Sequence, residues 1–105
     1  MMDMEEFLEL NKDKEKIKVI AESLANEKRL EMLDVIRNND GLSHKELAEK
    51  LGITSGTVSF HISYLLDAGL IYEDLGKGLL GKNKKMPKIK TKKITVIIGE
   101  ENNNG

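Results

Sequence analysis

At 105 residues, 39% hydrophobic and 33% charged, the chain has material for one domain with a modest core. It has no cysteine, which excludes disulfides and thiolate metal sites. No apolar run nears the ~18 residues of a membrane span, and no signal peptide precedes the first helix, so the cytoplasm is the expected compartment and no membrane partner is expected. The net charge of −1 conceals a division: residues 1–75 carry 9 Lys/Arg against 16 Asp/Glu, whereas residues 76–99 carry 8 Lys and no acid. A basic segment on an acidic body is the electrostatic footprint of a protein that meets a polyanion.

Residues 1–14 place Met4, Phe7, Leu8 and Leu10 among acids, then pass into a charged run; a short amphipathic helix or an arm is expected there. Ile17, Ile20, Ala21 and Leu24 keep helical spacing and mark the first firm helix, from about Glu15. Asn26 caps a second helix running to about Asn38, with Leu30, Leu33 and Ile36 inward and Met32 and Val35 beside them. Asn38-Asn39-Asp40-Gly41 stops it with turn chemistry, and a one- or two-residue strand is expected at Leu42.

Ser43, with Glu46 three residues on, forms a capping box, so a third helix starts at His44 and lines up Leu47, Ala48 and Leu51. Gly52 stands where a helix end wants positive φ, and Thr54 caps a fourth helix with the apolar face Val58, Ile62, Leu65 and Leu66. Ala48 is small because the fourth helix crosses over it. This pair is a helix-turn-helix, whose second helix reads the DNA major groove. After Gly69 the period changes to that of strands: Leu70 to Leu75, then Ile94, Val96 and Ile98 on one face. A long hairpin turning at Lys82-Asn83 is expected, with Ile71 facing Ile94, Leu79 facing Met86 and a break where Gly78 opposes Pro87. Residues 15–99 thus form the domain, and 100–105 a disordered tail.

The run Leu51-Gly52-Ile53-Thr54-Ser55-Gly56-Thr57-Val58-Ser59-Phe60-His61-Ile62, then Leu65 and Ala68-Gly69-Leu70-Ile71, resembles the ArsR-type winged helix-turn-helix of small prokaryotic transcription regulators. Leu24 to Leu30 resembles the entry to that family's second helix, so the likeness covers roughly residues 17–98. The resemblance implies an α+β, mainly α fold, a winged helix-turn-helix of about four helices and a C-terminal hairpin wing. It also implies a homodimeric regulator that represses by occluding a promoter. The family's metal sites use cysteines on the helix before the turn, or His and acids on a C-terminal helix. Leu47-Ala48-Glu49-Lys50-Leu51 lacks the former and the chain ends in a strand, so no metal or cofactor is expected; any effector is left open.

Ser55, Gly56, Ser59, Phe60 and Ser63 point away from the apolar face of the fourth helix, as a DNA-reading face or as a plain solvated one. Small hydroxyls beside an exposed aromatic favour reading, because a solvated face usually carries Lys or Glu. Thr54, Thr57 and Ser59 can donate to phosphate, and Phe60 can press a thymine methyl; Ser43 and His44 flank them. The helix lacks Arg, Lys, Asn and Gln, so specificity falls to DNA shape and dimer spacing. His61 matches the family's histidine in this helix, and is read as a half-buried packing or phosphate-contacting imidazole. Neither it nor His44 has a carboxylate at metal-ligand spacing. Lys77, Lys82, Lys84, Lys85 and Lys88 are the candidate phosphate contacts of the wing, with Lys90, Lys92 and Lys93 behind them; solubilising edge charges are the alternative. Met4, Phe7, Leu8, Ile17 and Ile20 are the candidate dimer interface. No catalytic constellation is present, and the reading is of a binder of double-stranded DNA rather than an enzyme. The competing class is a winged helix used as a protein-interaction module.

Overall fold

The computed structural model describes residues 4–77 and 83–100, in the order β1 Met4–Glu9, α1 Lys14–Leu24, α2 Glu27–Asn38, α3 His44–Leu51, α4 Ser55–Asp67, β2 Ile71–Lys77, β3 Asn83–Ile89 and β4 Thr91–Ile97. Local sequence chemistry fixes the helix starts. The Asn26 side chain accepts from the Arg29 N–H, Ser43 and Glu46 close the expected capping box, and Thr54 accepts from the Thr57 N–H. Gly52 takes φ +67° and lets Ile53 N–H reach back to the Ala48 carbonyl at 3.1 Å; Gly69, at φ +71°, ends α4 in the same way.

The core is the α3–α4 crossing, Leu47, Ala48, Leu51, Val58, Ile62 and Leu65, closed from α2 by Met32 and Ile36 and from the strands by Leu8, Leu70 and Ile71. Two details of the apolar faces differ from expectation. On α2 the fully buried residue is Met32, and Leu30 is 48% exposed; on α4, Leu66 lies outside the core. Arg29 of α2 and His61 of α4 are buried instead, in contact with each other.

The strands depart further. Residues 4–9 form neither a helix nor an arm: β1 pairs in parallel with β4, Phe7 beside Thr95 and Leu8 beside Val96. The Asp13 carboxylate accepts from the Glu9 N–H at 2.9 Å and ties the end of β1 to the start of α1. The wing is shorter than expected. β2 pairs antiparallel with β3, with Ile71 opposite Ile89 rather than Ile94, and Asn83 lies in β3 rather than in the turn. Pro87 faces Glu73, where a two-stranded edge tolerates it. The expected contacts of Gly78, Leu79 and Lys82 lie outside the described residues. At Lys90 the chain leaves the wing: the N–H groups of Lys90 and Thr91 both donate to the Leu70 carbonyl, and β4 runs off to β1. Leu42 forms no strand.

Candidate nucleic-acid interface

The exposed side of α4 presents Ser55, Gly56, Thr57, Ser59, Phe60, Ser63 and Tyr64, with no acid before Asp67. At its N-terminus, Thr54 Oγ1 accepts from the Thr57 N–H and lies 2.8 Å from Thr57 Oγ1, so one of the two hydroxyls keeps a proton to donate outward. Ser55 and Gly56 leave the first N–H groups of the helix uncovered, which suits an anion. Farther along, Ser63 donates to the Phe60 carbonyl at 2.7 Å, so its hydroxyl proton is already used. Phe60 is 56% exposed and rests edge-on against Tyr64 at 5.3 Å between centroids.

Beneath this face lies a group that composition did not reveal. Arg29 is buried to 7% exposure without a carboxylate partner among the described residues. Its Nε donates to the Ser23 carbonyl at 2.8 Å and its Nη2 to the Glu22 carbonyl at 3.0 Å, both at the C-terminal, negative end of α1. Nη1 lies 3.1 Å from His61 Nδ1, and the guanidinium sits 4.2 Å from the centre of the Tyr64 ring. A guanidinium only donates, so Nδ1 of His61 accepts and the ring carries its proton on Nε2. Burial, and then the charges of Arg29 and Lys28, hold the His61 pKa below its ordinary value. Arg29 thereby fixes α4 about its own axis against the end of α1.

The wing is held against α3. His44 Nε2 donates to the Glu73 carboxylate of β2 at 2.6 Å, and its Nδ1 lies 3.1 Å from the Ser59 hydroxyl of α4. One imidazole thus spans both parts of the interface. Lys84 pairs with Glu46 at 2.7 Å, and this ammonium, with the Ser43 N–H and hydroxyl, pulls the Glu46 pKa down to about 2. Lys88 pairs with Asp40, which raises the lysine pKa. Lys85, opposite Leu75 in the ladder, is exposed and makes no ion pair among the described residues.

A family profile described as winged helix-turn-helix DNA-binding matches residues 26–72, from the cap of α2 into β2. The chain has a winged helix-turn-helix fold. Among solved structures it is similar to the transcriptional regulator HlyU from Vibrio vulnificus, at 26% identity and TM-score 0.59, over 79% of this chain and 80% of that one. Reduced HlyU from Vibrio cholerae gives 24% and 0.64, over 79% and 81%. A homodimeric winged helix-turn-helix DNA-binding domain from Mycobacterium bovis, described as a possible ArsR-family regulator, gives 20% and 0.65, over 77% and 69%. No curated protein sequence matches the chain significantly.

Within this winged helix-turn-helix, the residues singled out from sequence do not all come together. Thr54, Ser55, Gly56, Thr57, Ser59, Phe60 and Ser63 lie together on the outer face of α4. His61 does not join them: it is buried against Arg29 and unavailable to phosphate. Ser43 and His44 stand at the edge, already bonded to Glu46 and Glu73, so His44 does have a carboxylate beside it, supplied from 29 residues away. Lys84 and Lys88 are engaged by the domain's own acids, and the Lys77 side chain and all of Lys82 lie outside the described structure. The proposed dimer residues also divide. Leu8 and Ile20 are spent in the protomer's own core, at 2% and 4% exposure, and Ile17 is half-buried against it; Met4 and Phe7 remain on the surface.

Arg29 and Tyr64 were not among the residues expected to matter. Arg29 lies within the Leu24 to Leu30 stretch that resembles the ArsR-type family, but as a charge within Glu-Lys-Arg it reads like any solvated helix residue.

Proposed function

We propose that the chain is a transcriptional regulator that binds double-stranded DNA as a homodimer, with α4 in the major groove and the wing on the adjacent backbone, and represses by covering a promoter. The observation that carries this is the outer face of α4: hydroxyls, a glycine and one exposed phenylalanine, with no acid, at the open N-terminus of a helix. Described regulators of the same fold, and the homodimer from Mycobacterium bovis, support it. Among the described residues no helix is long and apolar enough to cross a membrane, which accords with work in the cytoplasm. Because α4 brings no Arg, Lys, Asn or Gln, sequence preference comes mainly from DNA shape and the spacing of half-sites.

The test separates affinity from preference, using a site recovered by pull-down of genomic fragments. Lys85→Gln removes one phosphate contact per protomer, so the slope of log affinity against log salt falls by about 1.8 per dimer, alike on cognate and scrambled duplexes. Phe60→Ala keeps the slope and narrows the preference for the cognate site by about 1 kcal/mol. Binding that is weak and insensitive to salt in the parent protein would favour the protein-interaction reading. One observation points that way, the neutralisation of Lys84 and Lys88 by Glu46 and Asp40.

A further inference from the structure

We infer that β4 is the dimer edge: two copies of this chain pair their β4 strands antiparallel about a twofold axis at Val96, making one four-stranded sheet in the order β1–β4–β4–β1. The inference rests on the homodimeric reading above and specifies its interface. Leu10 N–H donates to the Ile97 carbonyl at 2.9 Å, so by the alternation of a strand Lys93, Thr95 and Ile97 turn their peptide groups toward β1. Ile94, Val96 and Ile98 then turn theirs to the opposite side, where no strand or backbone partner lies among the described residues. A two-stranded parallel ribbon is a poor stopping point for a sheet, since such pairs are marginal alone and parallel strands are normally covered.

The side chains say which edge continues and in which direction. β1 carries Glu5, Glu6 and Glu9, charges that guard an edge against pairing, whereas Ile94-Thr95-Val96-Ile97-Ile98 is an uncharged run of strand formers. β4 is also polar in charge along its length, with Lys90, Lys92 and Lys93 at its start and Glu100 and Glu101 after its end. Antiparallel pairing at Val96 sets Lys92 against the partner's Glu100 and Ile94 against the partner's Ile98; parallel pairing would stack lysine on lysine. Identical antiparallel strands close into a twofold dimer and leave no further copy of this edge exposed. A groove of about 910 Å³ beside Ile94, floored by Leu24, Leu30 and Leu33, has room for the partner's Ile98, which is 74% exposed in the single chain.

The chain has no cysteine, so one introduced residue reports the contact. In the full chain, Val96→Cys should oxidise to a covalent dimer, because residues facing each other across such a pair lie within disulfide reach. Phe7→Cys, on the opposite face and the other strand, should not. Val96→Lys and Val96→Glu should each weaken dimerisation by about tenfold or more in sedimentation, and mixing the two should restore it. A parent protein that sediments as a monomer at high concentration would overturn both this edge and the homodimeric reading. A parent dimer in which Val96→Cys fails to cross-link, or in which mixing does not rescue, overturns the edge alone.

Discussion

Replacing Arg29 by methionine tests whether the reading helix is held from beneath. Methionine keeps most of the apolar stem, so the change removes three bonds, to Ser23 O, Glu22 O and His61 Nδ1, and the contact with Tyr64. Hydrogen bonds to a charged group are worth ~1.5–3 kcal/mol each, and a cation on the partly exposed Tyr64 ring about 1. Against this stands the desolvation of a buried guanidinium, several kcal/mol recovered when the charge goes. Two carbonyls and an imidazole left without their donor tip the balance, and a net loss of roughly 2–4 kcal/mol is expected. For a domain of this size that corresponds to a fall in Tm of roughly 10–25 °C.

The assay is urea unfolding followed by circular dichroism, with a double-mutant cycle against Tyr64→Leu. The cycle should return a coupling of about 1 kcal/mol for the cation–ring contact. A loss below ~0.5 kcal/mol for Arg29→Met would refute the reasoning, since it would mean that burying the charge had cost as much as its bonds return. DNA affinity supplies a further readout: a positioning residue under α4 should lower binding even at temperatures where the variant stays folded.

His61 makes stability depend on pH. Its folded pKa lies below the ordinary 6.5, so the unfolded chain takes up the proton first; its contribution is complete above about 6.5 and is lost as pH falls below that value. The urea midpoint should drop between pH 7 and pH 5, and His61→Gln, which still offers Arg29 an acceptor, should flatten that slope; a slope unchanged in the variant would assign it elsewhere. Ser23 Oγ is fully buried with no partner among the described residues, so Ser23→Ala should leave stability unchanged or raise it by up to ~1 kcal/mol; a loss would reveal a hidden partner. Ala48→Leu should overpack the α3–α4 crossing and cost about 1–3 kcal/mol in the same urea experiment, and an unchanged midpoint would mean that the helices do not meet there.

What could be read from the chain follows the range of the interactions. Caps and the turn between α3 and α4 are settled by residues within four positions of one another, and Ser43, Gly52 and Thr54 stand where their chemistry placed them. β1 was invisible because its partner is more than 80 residues away, and six residues with three glutamates carry no period of their own. The core choice between Phe7 and Leu8 turns on this: with strand alternation Leu8 faces inward and Phe7 outward, a distinction helical spacing does not make. Arg29 was equally hidden, because a buried charge is recognisable only once the carbonyls that receive it are placed.

The wing shows how such a miss carries into function. The charge division between body and wing is plain in the sequence. How many of those lysines remain available depends on register. The hairpin was expected to set Ile71 against Ile94, and it sets Ile71 against Ile89, a displacement of five. An odd displacement exchanges the two faces of a strand. In the observed register Lys84 and Lys88 share the face that meets Glu46 and Asp40, and Lys85 is turned outward. The salt slope is therefore a measure of register as much as of charge. If Lys84 and Lys88 stay with their acids on DNA, replacing both by glutamine should change the slope far less than the single change at Lys85. A slope that instead falls by about 0.9 for every lysine removed, whichever it is, would mean that phosphate displaces Glu46 and Asp40 when DNA binds.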